Sequence, residues 1–191
     1  MKMKFKPLLI AFFIFFFLFD ILRDLLLNSG GILNDLQSLA GIGSLLTHII
    51  CFFGFFGGAY WVFFKTWGKN KKVLAFALLP LIATFFIGLR YFLQEVMGRL
   101  IFGLGNYSDN TSLVYYYFDN LYYAILYISV GSALFFVHYS QQKEARQQEL
   151  ILQNQKTELA FLRSQLNPHF LFNILNNIYS LIYFLLFNLS K

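Results

Sequence analysis

The sequence VLAFALLPLIATFFIGLRYFLQ, residues 73–94, decides the fold class because it is apolar enough to cross a lipid bilayer as a helix. A transmembrane helix needs about 20 mostly apolar residues, and this stretch carries Arg90 as its single charge. The whole chain of 191 residues is 58% hydrophobic and only 13% charged, whereas soluble domains are about 25% charged. The composition therefore indicates a membrane protein.

Three further stretches meet the same criterion, at about residues 7–27, 42–64 and 116–138. The first follows three lysines and has some features of a signal peptide, but no small-x-small cleavage site comes after it. We therefore predict an all-α membrane protein with four transmembrane helices, the first of them retained, followed by a cytoplasmic helical tail.

Basic residues are distributed unevenly among the predicted loops. The loop at residues 28–41 has none, and the loop at residues 95–115 has Arg99 alone. Because Lys and Arg concentrate on the cytoplasmic side of a membrane, we predict a multi-pass protein of the bacterial inner (cell) membrane with both termini cytoplasmic. The net charge of +6 then reflects topology and contact with membrane lipid rather than direct binding of nucleic acid. The seven lysines on the cytoplasmic side are Lys2, Lys4, Lys6, Lys65, Lys69, Lys71 and Lys72.

Five charged residues lie inside the predicted spans, towards their outer ends. Charges at such depths usually pair with one another or line a polar cavity. Two interpretations stay open: interfacial charges that form stabilising pairs, or a ligand- or ion-sensing site near the outer face. We interpret His48, His138 and Cys51 as structural. The five charged residues are Asp20, Arg23, Asp24, Arg90 and Asp119.

After the fourth span the sequence becomes rich in Gln, Glu, Lys and Arg, with no Gly or Pro between residues 141 and 165. Leu152, Leu159 and Leu166 recur every seven residues, which predicts a helix that continues into a parallel coiled coil. A single amphipathic helix with a solvated face is the alternative. Pro168 interrupts the pattern, so we predict a joint or kink directly before His169, with Asn167 as a candidate helix cap.

The segment LRSQLNPHFLFNILNNI, residues 162–178, carries the most specific motif of the tail. His169 and Asn173 lie one turn apart on a polar helical face, which extends through Asn176 or Asn177 to Ser180. An apolar stripe occupies the opposite face. It consists of Leu171, Ile174, Leu175, Ile178 and Leu181.

This segment closely resembles the phospho-acceptor region of LytS-like sensor histidine kinases, the internal-region class, over about residues 153–181. The resemblance implies that His169 is phosphorylated by ATP and passes its phosphoryl group to an aspartate of a response regulator of the LytTR type. Histidine suits this chemistry because imidazole is partly neutral near pH 7. Asn173 is our candidate for orienting the imidazole. The commoner kinase type has an acidic residue directly after the histidine; here Phe170 stands in its place, so we name no general base.

The resemblance divides the chain into a transmembrane sensor region (1–139), a coiled-coil linker helix (140–166) and the start of a phospho-acceptor and dimerisation region (167–191). No glycine follows Gly131 and no acidic residue follows Glu158. We therefore expect that this chain lacks the ATP-binding domain and is a fragment, a frameshifted product or a natural short form. On that expectation it binds no cofactor or metal itself, although ATP and Mg²⁺ are implied for the full-length family.

Our leading hypothesis is a membrane sensor histidine kinase of a two-component phosphorelay, acting as a homodimer and lacking its ATP-binding domain. Whether this chain is an enzyme by itself stays open. The main alternative is a non-enzymatic membrane protein that dimerises with full-length kinases and modulates them. A transporter-like or structural membrane protein with a coincidental tail is a third.

Overall fold

Helices account for the regular structure in the parts of the chain that the computed structural model describes, which are residues 5–27, 34–103, 105–165 and 168–189. Two turns of π-helix, Phe17–Ile21 and Phe92–Met97, interrupt the helical runs, and a 3₁₀ turn, Trp67–Lys69, follows the third helix. The α-helices are α1 (Phe5–Phe16), α2 (Leu22–Leu26), α3 (Leu39–Thr66), α4 (Lys72–Tyr91), α5 (Gly98–Phe102), α6 (Leu113–Gln165) and α7 (Pro168–Leu189).

Local sequence signals explain where several of these helices begin and end. Ser38 caps α3, since its hydroxyl accepts a hydrogen bond from the Gly41 N–H at 3.0 Å. Asn70 adopts the left-handed conformation (φ 59°) and ends the turn before α4, and Gly103 (φ 70°) ends α5 in the same way. The Ser112 hydroxyl accepts a hydrogen bond from the Tyr115 N–H at 3.2 Å at the start of α6.

Four helical stretches are long and apolar enough to cross a membrane: Leu39–Lys69, Lys72–Phe102, Leu113–Gln165 and His169–Leu189. The all-α class and the multi-pass membrane character predicted from the sequence are thereby confirmed. The predicted first span, residues 7–27, is helical but is not among these four, whereas the terminal helix α7 is. This first helical run carries Lys6 near its start and three further charged residues, Asp20, Arg23 and Asp24, in its last third.

The chain divides into two units, Met1–Ser140 and Gln141–Lys191, which we describe separately. In the first unit the core is largely aromatic, which accounts for much of the phenylalanine content. Phe12 of α1 packs edge-on against Phe53 of α3, with ring centroids 5.1 Å apart. Phe52 of α3 lies 4.6 Å from the ring of Tyr127 on α6. Such ring pairs stabilise packing beyond the area that they bury.

Gly131 sets the closest approach between α3 and α6. A Cβ atom at this position would lie 2.9 Å from the carbonyl carbon of Phe56 and closer still to its carbonyl oxygen. Only glycine therefore permits this helix contact, in the manner of small-residue packing between membrane helices.

In the second unit α6 ends at Gln165 and α7 begins at Pro168; the joint predicted before His169 stays a prediction. Pro168 occupies a first helical position, where its missing N–H costs nothing. The predicted heptad positions Leu152 and Leu159 are both exposed in this chain. The helix is confirmed, the paired coiled coil stays a prediction, and Leu166 and Asn167 lie outside the described residues.

Candidate functional site

The first candidate site is the polar face of α7 around His169. Asn173 follows His169 by one helical turn, and its Nδ2 atom lies 3.1 Å from Nδ1 of the imidazole. Both side chains are exposed. The two residues that the sequence singled out are therefore brought together, in a position that a protein partner can reach.

The opposite face of α7 is apolar and is equally exposed. All of its stripe residues have at least 38% of their surface accessible. A stripe of this kind normally faces a partner helix or lipid. The residues are Leu171, Ile174, Leu175, Ile178 and Leu181.

The second candidate site is a buried polar network inside the membrane unit, centred on Arg90 of α4. Its guanidinium donates to Gln94 Oε1 at 2.9 Å and to Asn120 Oδ1 at 2.5 Å. A third contact, at 3.4 Å, reaches Nδ1 of His48. The guanidinium also lies over the Phe52 ring, 5.3 Å from its centroid. Within the described residues no carboxylate forms an ion pair with Arg90, so neutral groups and a ring face surround the charge.

His48 connects Arg90 to a buried carboxylate on the first helical run. Because a guanidinium can only donate, Nδ1 of His48 accepts, and a neutral ring then carries its proton on Nε2. That Nε2 atom lies 3.7 Å from Oδ1 of Asp20, too far for a full hydrogen bond. Asp20 in turn accepts a short hydrogen bond from the hydroxyl of Tyr127 on α6. The negative charge of Asp20 thus balances the positive charge of Arg90 across the imidazole.

The loop between α5 and α6 is held against the helices by Glu95 and Arg99. One oxygen of Glu95 accepts from the backbone N–H groups of Asn106 and Tyr107, at 3.0 and 3.1 Å. Its other oxygen pairs with Arg99 at 2.9 Å, and Arg99 also binds Asp109. These contacts fix the loop to the π turn from which Glu95 projects.

Tyr107 joins this loop to the central network. Its hydroxyl donates to Asp119, and Asn120 Nδ2 donates to the same hydroxyl at 3.3 Å. Burial raises the pKa of the Tyr107 hydroxyl above its usual value, and the hydrogen-bonded Asp119 carboxylate raises it further. The hydroxyl therefore stays protonated at any physiological pH. Asn120 is the shared member, since it binds both Arg90 and Tyr107.

The sequence-predicted charges fall into two groups in the structure. Asp20, Arg23 and Asp24 line one cavity of about 200 Å³, whereas Arg90 and Asp119 take part in the network behind it. Arg23 itself is exposed, and its closest described polar partner is the Tyr123 hydroxyl at 3.5 Å. Arg90 and Asp20 are linked through His48, which the sequence led us to interpret as structural.

Several members of the network were missed by sequence reasoning because they carry no charge or lie outside the predicted spans. The uncharged polar residues inside apolar helices could have been noticed from the sequence, because a polar group within a membrane needs a hydrogen-bond partner. The π turn Phe92–Met97 contributes two of the missed members, Gln94 and Glu95, and π turns recur at functional positions in helices. The missed members are Gln94, Glu95, Tyr107, Asn120 and Tyr127.

Comparison with known proteins gives a match in the C-terminal segment. Residues 157–185 match the family model described as histidine kinase, which supports membership of that family for this part of the chain. The match spans the end of α6 and most of α7, and it includes both His169 and Asn173. Neither curated proteins nor solved structures gave a match to the chain.

Proposed function

We propose that this chain is the sensor and phospho-acceptor part of a membrane histidine kinase in a two-component phosphorelay, with His169 as the phosphorylated residue. The observation that carries this proposal is the coincidence of two findings. The histidine kinase match covers residues 157–185, and within it the exposed imidazole of His169 is paired with Asn173 at 3.1 Å.

The pairing with Asn173 bears on which nitrogen of His169 carries the proton. The Nδ2 atom of Asn173 can only donate, so Nδ1 of a neutral imidazole accepts and the ring proton lies on Nε2. A half-turn of the amide group would present its oxygen instead and would move the proton to Nδ1 and the lone pair to Nε2. In either tautomer the N–P bond forms from the nitrogen with the lone pair as the bond from phosphorus to the leaving group breaks, and that lone pair supplies the electrons. Positioning and charge stabilisation provide most of the rate enhancement in such transfers.

The phosphoryl donor in this proposal is ATP, bound with Mg²⁺ in an ATP-binding domain that is continuous with this chain or belongs to another chain. The acceptor is an aspartate of a response regulator, of the LytTR type according to the resemblance. A homodimer through α7 is the accompanying proposal, supported by the exposed apolar stripe opposite His169.

We further propose that the polar network senses the signal and that both termini are cytoplasmic in a bacterial inner membrane. The lysine-rich turn between α3 and α4 supports this orientation. Asp20, His48, Arg90 and Asn120 belong to four successive helical runs, so a ligand or ion that displaces one of them alters contacts to the others.

The test uses the full chain in lipid nanodiscs and phosphoramidate, a donor that needs no ATP-binding domain. Transfer breaks the P–N bond of the donor and releases ammonia. We expect an acid-labile, alkali-stable phosphohistidine that is absent in His169→Gln and retained in His138→Gln. Asn173→Ala should label about tenfold more slowly, since one hydrogen bond of roughly 1–1.5 kcal/mol corresponds to that factor. Labelling that persists in His169→Gln overturns the assignment.

A non-enzymatic modulator of full-length kinases is the second candidate, and the exposed apolar stripe of α7 is also what such a protein would use. It predicts that the chain co-purifies with a full-length kinase and that its dominant effect survives His169→Gln. The phospho-acceptor proposal predicts that this effect is lost with His169.

A further inference from the structure

A cavity of about 420 Å³ lies between the start of α3 and the π turn with α5, and we call it the Gln94 cavity. Its volume is within the range of sites for small molecules, about 300–1,000 Å³. It opens at the end of the membrane unit that lies opposite the lysine-rich turn between α3 and α4.

The walls of the Gln94 cavity are amphipathic. Leu93, Met97 and Phe102 form an apolar side. Ser44 and Thr47 of α3, on the other side, carry hydroxyl groups. The Thr47 hydroxyl donates to the Gly43 carbonyl at 2.9 Å and so retains acceptor capacity towards the cavity.

Asp35 alone is charged among the described residues that line this cavity. It also lines the neighbouring cavity of about 200 Å³, together with Asp20 and Asp24. The smaller cavity thus has three acidic residues and Arg23 in its lining, and Asp20 among them also faces His48. Burial raises the pKa of the Asp35 carboxyl above its usual value, and the Asp24 carboxylate raises it further, while His48 lowers it. A cation beside Asp35 would relieve this unfavourable environment.

Gln94 connects the cavity to the polar network. Its side chain is 95% buried, with Nε2 donating to both the carbonyl and the hydroxyl oxygen of Ser44 at 3.2 Å. Its Oε1 accepts from Arg90 at 2.9 Å. A guest that binds Ser44 or Gln94 therefore competes directly with contacts that position Arg90.

We propose that the Gln94 cavity binds a small amphipathic amine, with its ammonium group at Asp35 and its apolar body against Leu93, Met97 and Phe102. Charge selects an amine over an acid, because Asp35 is acidic and no basic residue is among the described residues that line the cavity. Because the cavity has one apolar and one polar side, it favours an amphipathic molecule over an inorganic cation. An inorganic cation would leave the apolar side in contact with water.

The test compares three probes of similar shape: 2-phenylethylamine, 2-phenylethanol and 3-phenylpropionate. Binding to the full chain in nanodiscs is measured by saturation-transfer NMR, with empty nanodiscs subtracted to remove partitioning into lipid. We expect the amine to bind about tenfold more tightly than the alcohol, as for one charge-assisted hydrogen bond. The acid should show no binding above the lipid background.

Two variants separate charge recognition from occupancy of the cavity. Asp35→Asn should abolish the preference for the amine, whereas the exposed control Glu158→Gln should keep it. Gly43→Leu should fill the cavity and remove both amine and alcohol binding; a Cβ at Gly43 has room, since it meets only the Phe102 ring, at 3.8 Å.

Equal binding of amine and alcohol, an amine preference that survives Asp35→Asn, or unchanged binding in Gly43→Leu would each overturn the proposal. Helicity and tryptophan emission of every variant must match those of the parent protein. Binding should be unaffected by His169→Gln, so the outcome does not depend on whether His169 accepts phosphate.

Discussion

Replacing Arg90 by methionine tests whether the polar network stabilises the membrane unit. Methionine preserves much of the volume but provides no donor for Gln94, Asn120 or His48. The two interhelical hydrogen bonds, to Asn120 and His48, contribute about 0.6 kcal/mol each by the membrane average, or about 1 kcal/mol together. A buried acceptor oxygen left without a donor costs roughly a further 1–3 kcal/mol. The substitution also leaves the Asp20 charge without its counterpart.

We therefore expect Arg90→Met to lower the free energy of unfolding by about 2–4 kcal/mol. The measurement is unfolding in mixed micelles titrated with SDS, followed through the emission of Trp61 and Trp67. Arg23→Met is the matched control, because Arg23 is exposed and its one described hydrogen bond is 3.5 Å long; its change should stay below about 1 kcal/mol.

A double-mutant cycle with Asp20→Asn isolates the charge balance. The two substitutions together should cost less than the sum of their separate effects, because the second removes the charge that the first leaves unbalanced. If Arg90→Met is as stable as Arg23→Met, or more stable, then the desolvation cost of the guanidinium outweighs its contacts. The reasoning from hydrogen bonds would then be wrong.

Two further predictions concern packing and orientation. Gly131→Ala should destabilise the membrane unit by at least about 1 kcal/mol, because its Cβ meets the α3 backbone, whereas Gly88→Ala should be neutral, since no atom lies within 4 Å of a Cβ there; the same SDS titration measures both. In a Cys51→Ser background, Lys71→Cys should be protected from an impermeant maleimide on intact cells, whereas Asn110→Cys should react. Reaction at Lys71→Cys alone would reverse the proposed topology.

The sequence was sufficient for the class of fold and for the pairing of His169 with Asn173. Both predictions use residues that are near one another in the sequence. A run of about 20 apolar residues predicts a membrane helix, and residues four apart in a helix share a face. A separate local rule, that proline interrupts a helix, drew attention to Pro168, the residue at which α7 begins.

The membrane network was harder to predict because it depends on how each helix is rotated about its axis. The sequence drew attention to Asp119 for its charge, yet the structure buries its neighbour Asn120 to 1% exposure and gives it the contact with Arg90. In helices that are apolar on nearly every side, hydrophobic periodicity does not choose between adjacent residues. The π turn at residues 17–21 adds to the difficulty, because it shifts the face on which Asp20 lies.

The face of α6 that packs in the membrane unit makes both polar side-chain contacts and a close contact with the backbone of another helix. Its buried residues recur at intervals of three or four, which places them along a single stripe. Two of them, Asn120 and Tyr127, bind Arg90 and Asp20, while Gly131 lies against the backbone of α3. Rotating α6 would therefore break two polar contacts and a backbone contact together. α6 also contains residues 157–165 of the histidine kinase match. Under the proposed function, a signal that exchanges the partners of Arg90 or Asp20 would therefore act on a helix that carries part of the matched segment.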